Sequence, residues 1–125
     1  ASAVQEKPAV QLASATPPPS VRLDAGLKAY QSGDYDEALK HWQPAAEEGN
    51  ANAQFYVGGL YRDGAGVTSS LPQAHFWWLL APENGHQTAK RFLGELRAEM
   101  LPHELVAADQ LVKDWNQRIK DNSTE

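Results

Sequence analysis

Residues 38–58 read ALKHWQPAAEEGNANAQFYVG and residues 74–94 read AHFWWLLAPENGHQTAKRFLG, and the two stretches carry the same residue types in step. Identical residues recur 36 positions apart in six pairs: Ala38/Ala74, Trp42/Trp78, Ala45/Ala81, Gly49/Gly85, Ala53/Ala89 and Gly58/Gly94. A fixed period of roughly 20–50 residues is the sequence signature of a stacked repeat array. Small residues let neighbouring helices approach closely, and a large aromatic side chain fills the space between them.

Apolar residues recur at three- and four-residue intervals from about residue 21 onward, which is typical of amphipathic helices. Asn50 and Ser70 stand where helix N-caps are expected, and Asp34 with Glu37 has the spacing of a reciprocal capping pair. Glycines in left-handed turns are expected to end four of the helices, at Gly33, Gly49, Gly64 and Gly85. The sequence therefore predicts an all-α fold, a helix-pair repeat solenoid with a C-terminal capping helix.

The chain divides by composition into three parts. Residues 1–20 are predicted to be a flexible, Pro-rich N-terminal tail, because small polar residues and three consecutive prolines cannot build a core. The repeat domain is predicted over residues 21–121, with its closing helix at 102–120, and residues 122–125 are predicted to be a frayed C-terminus. We expect the N-terminal tail to dock on a partner.

Composition excludes several functional classes. The 125 residues carry a net charge of −5 without a basic patch, so nucleic acid is not an expected partner. The absence of cysteine excludes disulfides, thiolate catalysis and cysteine-based zinc sites. No apolar run approaches the ~20 residues of a transmembrane helix. The chain starts at Ala1-Ser2-Ala3 without methionine, so we expect an exported, periplasmic protein, with a cytoplasmic location as the alternative.

The candidate catalytic side chains all have a structural interpretation. The histidines at 41, 75, 86 and 103 show no metal-ligand spacing among themselves and are expected at the surface. Asp34 and Glu37 are interpreted as capping residues, and Gly64-Ala65-Gly66 lacks the lysine of a phosphate-binding loop. The sequence therefore predicts no catalytic residue, no cofactor and no metal, and we expect that the protein is not an enzyme.

The central unit resembles the Sel1-like repeat family, which is related to the tetratricopeptide repeats. The matching positions are Ala53, Val57, Gly58, Tyr61, Gly64, Gly66, Val67, Ala74, Trp77 or Trp78, Ala81, Gly85 and Ala89. A partial unit precedes it without the Gly-x-Gly-Val loop, and a third unit breaks off after Gly94, with Arg97 where tyrosine is expected. The resemblance implies about two and a half repeats.

Members of this family are typically non-enzymatic and scaffold protein complexes, often in the bacterial envelope. The resemblance therefore implies a protein–protein interaction module, an accessory or scaffold subunit that holds another protein by a peptide segment or a subunit edge. A binding module for envelope polymers such as peptidoglycan or exopolysaccharide is the alternative.

Candidate partner contacts follow from the repeat geometry. The first helix of each pair lines the concave face of a helix-pair array, so its polar, non-core positions are candidates. Phe76 is added because Phe76, Trp77 and Trp78 cannot all face the same way, and an exposed aromatic side chain marks a contact site. The predicted partner-binding residues are Lys28, Gln31, Gln54, Arg62, Phe76, Lys90 and Arg91.

Overall fold

The computed structural model describes residues 18–123, which form α-helices joined by turns. The helices are α1 (Pro19–Gln31), α2 (Tyr35–Glu47), α3 (Ala51–Asp63), α4 (Leu71–Glu83), α5 (Thr88–Glu99) and α6 (Pro102–Ser123). The all-α class predicted from the sequence is therefore confirmed for this range. The closing helix predicted at 102–120 is also present, and it extends three residues further.

The two predicted ends of the domain need correction. Pro18 is the N-cap of α1, and Pro19 occupies the first turn, where its fixed φ suits a helix and its missing N–H is not needed. The domain thus starts before residue 21, so the tail predicted over 1–20 is too long at its end. The helical backbone of α6 likewise includes 122 and 123, where fraying was predicted. Residues 1–17 and 124–125, and with them the tail's predicted flexibility and docking, lie outside the described residues.

The first helix pair is held by a tryptophan seated on a glycine. The Trp42 indole of α2 lies against Gly26 of α1, where a Cβ atom would overlap the ring. Its Nε1–H donates to the Leu23 carbonyl at 3.2 Å. A buried indole with a satisfied N–H fixes both the distance and the rotation between the two helices.

The second helix pair repeats this contact. Trp78 of α4 lies against Gly58 of α3, and its Nε1–H donates to the Phe55 carbonyl at 2.9 Å. Trp78, and not Trp77, is therefore the counterpart of Trp42. The glycines of the two pairs are 32 residues apart and the tryptophans 36, so the turn between α3 and α4 absorbs four additional residues.

Polar contacts at the ends of α2 and α4 follow the same register. Arg22 of α1 is buried and binds both carboxylate oxygens of Glu48, which follows α2. At the equivalent positions of the second pair, Asn84 Nδ2 donates to Gln54 Oε1 at 3.1 Å. Each first helix is thereby tied to the end of the second helix of its pair.

Most of the predicted helix ends are confirmed. Asn50 Oδ1 accepts from the Ala53 N–H at 2.9 Å, and Ser70 Oγ accepts from the Gln73 N–H at 3.3 Å. The four predicted end glycines all have positive φ: Gly33, Gly49, Gly64 and Gly85. These glycines relieve the Cβ strain of the left-handed conformation that ends a helix.

The reciprocal capping predicted for Asp34 and Glu37 is wrong. Asp34 has φ −90° and ψ 74° and makes no side-chain cap. Glu37 faces along its own helix instead, 3.4 Å from His41 Nε2 and 3.7 Å from Lys40 Nζ. The turn after α3 packs against this end of α2, where a Cβ on Gly66 would lie 2.6 Å from a backbone nitrogen.

Helix α4 is the centre of the domain, because α3, α5 and α6 all pack against it. Phe76, Trp77 and Trp78 are consequently all buried, with 3–4% of each residue exposed. Trp115 of α6 covers the first two, with ring centroids 5.5 Å from Phe76 and 5.8 Å from Trp77. The prediction that one of the three aromatic residues is exposed is therefore wrong, since α6 covers the face on which it was expected.

Candidate functional site

An apolar groove of about 300 Å³ lies across α1, α3 and α5. The first two of these are the first helices of the two helix pairs described above. Trp42 and Trp78 contribute to its lining from α2 and α4. The complete lining is Leu27, Tyr30, Trp42, Phe55, Tyr56, Gly59, Leu60, Arg62, Asp63, Trp78 and Phe92. We call this surface the aromatic groove.

Ring contacts give the α1 side of the aromatic groove its shape. The Tyr30 ring lies 5.0 Å from Tyr35 and 5.9 Å from Trp42, and Trp42 lies 4.7 Å from Tyr56, measured between centroids. Tyr30 is 42% exposed and Leu27 40%. Large apolar side chains are therefore open to solvent on the side that α1 contributes.

Another set of ring contacts forms the α5 side. Phe55 lies 6.0 Å from Trp78 and 5.2 Å from Phe92, and His86 stacks on Phe55 at 4.2 Å. The indole N–H of Trp78 is already bonded to backbone, as is that of Trp42. Trp42 and Trp78 are 2% and 3% exposed, so they form the floor of the aromatic groove and offer a ligand no hydrogen-bond donor.

Gly59 lines the aromatic groove from the middle of α3. A Cβ built on Gly59 would meet no atom within 4 Å. Glycine inside a helix costs about 1 kcal/mol relative to alanine, and nothing in the packing around Gly59 requires that cost. The absence of a side chain at Gly59 leaves this part of the aromatic groove open.

Charged groups stand at one end of the aromatic groove. Arg62 lies 3.2 Å from Glu99 and 3.9 Å from Asp63. The Arg91 guanidinium lies 5.5 Å from the Phe92 ring centroid. Exposed ion pairs contribute only about 0–1 kcal/mol, so these groups can exchange partners when a ligand arrives.

The structure places five of the seven predicted partner-binding residues at the surface. Arg62 lines the aromatic groove, and Arg91 contacts one of its rings. Lys28 and Gln31 are exposed on α1 without lining the groove, and Lys90 lines a separate pocket of about 340 Å³. Partner binding by these side chains stays a prediction.

The other two predicted contacts are buried, and their assignment to the surface is wrong. Gln54 is 1% exposed, and its Nε2 donates to the Ala46 carbonyl at 3.0 Å. Phe76 is enclosed by α6, as described above. The surface assignment followed from the polarity of Gln54. Its amide can be buried because it bonds Ala46 of α2 and Asn84, the residue that follows α4.

Sequence reasoning missed the aromatic residues that line the groove. Four lining residues have the helical spacing of core positions and were therefore interpreted as core: Leu27, Tyr30, Tyr56 and Phe92. Tyr30 and Leu27 belong to α1, which has no preceding helix to cover them within the described residues. Their position at the start of the repeat array was the signal that could have identified them.

A second, polar cleft of about 470 Å³ lies where α2 and α4 end beside α6. Its lining combines carboxylates, amides, a guanidinium and one indole. The lining side chains include Glu47, Glu48, Gln54, Glu83, Asn84, Trp115, Asn116, Arg118 and Asn122. The Arg22 guanidinium bonds to Glu48 and thereby holds the pKa of that carboxyl below its usual range. We call this surface the polar cleft.

His75 is buried, contrary to the surface position predicted for it. Its Nε2 lies 2.8 Å from Arg97 Nη1, and its Nδ1 has no protein partner. Burial, reinforced by the Arg97 charge and opposed by Asp109, lowers the pKa of His75. The ring is therefore neutral at pH 7 and accepts a hydrogen bond from Arg97 between α4 and α5.

His86 satisfies a free backbone N–H at the start of α5, and its position in the 36-residue repeat indicates this role. Its Nδ1 accepts the Ala89 N–H at 3.3 Å, at the start of α5. It stands 36 residues after Asn50, which caps α3 in the same way.

Across residues 18–123, no group of three or more histidine, aspartate or glutamate side chains could hold a metal ion. No helix in that range has the length and apolarity to cross a membrane.

Comparisons with known proteins give one partial likeness. No family model matches the chain. A stretch of 43 residues is 40% identical to an exopolysaccharide production negative regulator of Rhizobium leguminosarum bv. viciae. The match covers 34% of this chain and 16% of that protein, so the chain spans only a small part of that relative's length.

Proposed function

We propose that this chain is a non-enzymatic interaction module of the Sel1-like repeat type, which holds an apolar segment of a partner protein in the aromatic groove. The observation that carries this proposal is the open row of apolar side chains around Gly59. The Trp–Gly contact made twice, in α1–α2 and in α3–α4, supports a repeat solenoid. We propose an exported, periplasmic location, for which the cytoplasm is the alternative.

The size of the groove favours a single peptide segment over a broad protein surface. Phe55 and Asp63 are eight residues apart on α3, which corresponds to about 12 Å of helix. A volume of about 300 Å³ is enough for a few side chains. Aromatic residues dominate binding energy when a partner side chain displaces water between them, so the rings around Gly59 are the expected anchor site.

Two glycine-to-arginine variants test this proposal with a matched control. Gly59→Arg fills the aromatic groove, whereas Gly94→Arg adds the same side chain at another helical glycine with open space around it, outside the groove lining. The wild type and both variants, each lacking residues 1–17, are immobilised and exposed to an extract of the source cells. Captured proteins are quantified by mass spectrometry.

We expect one protein to be captured in stoichiometric amount by the wild type and by Gly94→Arg, and to be lost with Gly59→Arg. Circular dichroism of both variants checks that the helices are intact. Equal capture by the two variants would refute binding in the aromatic groove.

A second candidate function is binding of an envelope polysaccharide in the polar cleft. The partly matching relative is an exopolysaccharide production negative regulator, and the cleft offers amides and carboxylates beside Trp115. Hydroxyl groups of a sugar both donate and accept, and this lining supplies partners for both. Co-sedimentation with isolated exopolysaccharide and with peptidoglycan sacculi tests it, with Asn116→Ala/Asn122→Ala as the cleft variant. If this candidate is correct, the cleft variant should no longer co-sediment with the polysaccharide, whereas Gly59→Arg should still do so.

A further inference from the structure

We infer that the aromatic groove has an occupant within its own chain, the segment Pro8-Ala9-Val10-Gln11-Leu12. This inference rests on the proposed function, in that it takes the aromatic groove as a binding surface. It assigns the tail to the groove of its own chain, whereas the sequence alone led us to expect docking on a partner, and it thereby adds a competitor that a partner must displace. The segment precedes α1 and belongs to the 17 residues before Pro18.

The sequence of this segment fits an extended occupant. Pro8, Val10 and Leu12 alternate with the smaller or polar Ala9 and Gln11, and alternate residues of an extended chain share one side. Residues 1–17 contain one acidic and one basic side chain, Glu6 and Lys7, and so have no net charge. The charges in the groove lining, Arg62 and Asp63, also cancel, so a neutral apolar segment matches the groove.

The connection between the segment and α1 is long enough. Leu27 and Tyr30 lie eight and eleven residues along α1 from Pro19, or about 12 and 17 Å. Six residues separate Leu12 from Pro18, and an extended chain of that length spans at most about 20 Å. Leu12 can therefore reach the exposed face of α1, and Val10 and Pro8 can continue along the aromatic groove.

Because the segment is attached to α1, even weak binding is sufficient for it to occupy the aromatic groove. A short linker gives its attached segment an effective concentration on the order of millimolar. A segment with an intrinsic dissociation constant of ~0.1–1 mM would thus occupy the groove in about half to nine-tenths of the molecules. A partner then competes with the segment, and deleting residues 1–17 raises the affinity for that partner about two- to tenfold.

Spin labelling tests the docking without a partner. The chain has no cysteine, so Gln11→Cys introduces a single attachment site on the side of the segment opposite Val10 and Leu12. A nitroxide at this site should abolish the amide NMR signal of Gly59 and leave that of Asn116 intact, since Asn116 lies in the polar cleft, on α6, which contributes no residue to the groove lining. Adding Val10→Asp/Leu12→Asp to the labelled chain should restore the Gly59 signal.

Each other outcome overturns the inference. Equal broadening at Gly59 and Asn116 would show that the segment does not prefer the groove. Broadening at Gly59 that disappears on dilution would assign the contact to a second copy of the chain. The capture experiment uses protein without residues 1–17, so a failure of intramolecular docking leaves its result unchanged, and the two proposals fail separately.

Discussion

Alanine substitutions at the adjacent glycines 58 and 59 should change stability in opposite directions. A Cβ at Gly58 would lie 3.1 Å from Trp78 Cε2 and closer still to Cδ1 and Nε1, so the indole must move. A Cβ at Gly59 meets no atom within 4 Å. The same chemical change, one residue apart in one helix, therefore separates packing from helix propensity.

The magnitudes follow from three contributions. Overpacking costs about 1–3 kcal/mol, and displacing the indole weakens its hydrogen bond to the Phe55 carbonyl, worth about 1 kcal/mol. At either position, alanine stabilises the helix by about 1 kcal/mol relative to glycine, because its helix propensity is higher. We expect Gly58→Ala to destabilise the fold by about 1–3 kcal/mol and Gly59→Ala to stabilise it by about 1 kcal/mol.

Denaturant unfolding followed by tryptophan fluorescence measures both values, and thermal unfolding provides a check at about 4–8 °C per kcal/mol for a domain of 60–100 residues. Gly26→Ala should behave like Gly58→Ala, because Trp42 is seated on Gly26 in the same way. Equal stabilities of Gly58→Ala and Gly59→Ala would refute the seating of Trp78 on Gly58.

Three further predictions concern polar groups of buried side chains and their partners. Trp78→Phe should cost about 1 kcal/mol more than Trp77→Phe in denaturant unfolding, because the Trp78 N–H is bonded while the Trp77 N–H has no partner; equal costs would contradict this. The contribution of neutral His75 to the free energy of unfolding should be complete above the ordinary pKa range of histidine. It should decline as the pH falls toward the lower pKa that His75 has in the folded state, and His75→Gln should flatten that part of the stability–pH profile. The Arg22–Glu48 contribution should be present at neutral pH and be lost as the pH falls through the lowered pKa of Glu48, so a Glu48→Gln profile that still falls equally in acid would contradict it.

Local signals in the sequence predicted the fold well where one residue decides the conformation. The end glycines and the Asn50 and Ser70 caps act on neighbouring backbone atoms, and their positions were correct. The Asp34–Glu37 cap failed because another part of the chain, the turn at Gly66, packs against the same helix end. Such a contact between distant residues is not visible in the spacing around Asp34.

The candidate site was less predictable, because exposure depends on which helix covers which face. Phe76 and Tyr30 have similar chemistry, but α6 returns to cover Phe76, whereas Tyr30 lies on α1 and is 42% exposed. Gln54 was assigned to the surface by its polarity, although its two hydrogen-bonded neighbours bury it. Arg62 lines the groove because its register on α3 carries it there, and its role in partner binding stays a prediction.

The affinity of the captured partner for two arginine variants tests the central claim most directly. Isothermal titration calorimetry on protein lacking residues 1–17 would compare Gly59→Arg with Gly94→Arg. If the aromatic groove is the binding surface, Gly59→Arg should lose about 2 kcal/mol or more, a factor of about 30, while Gly94→Arg should bind like the wild type. Equal dissociation constants for the two variants would contradict the claim.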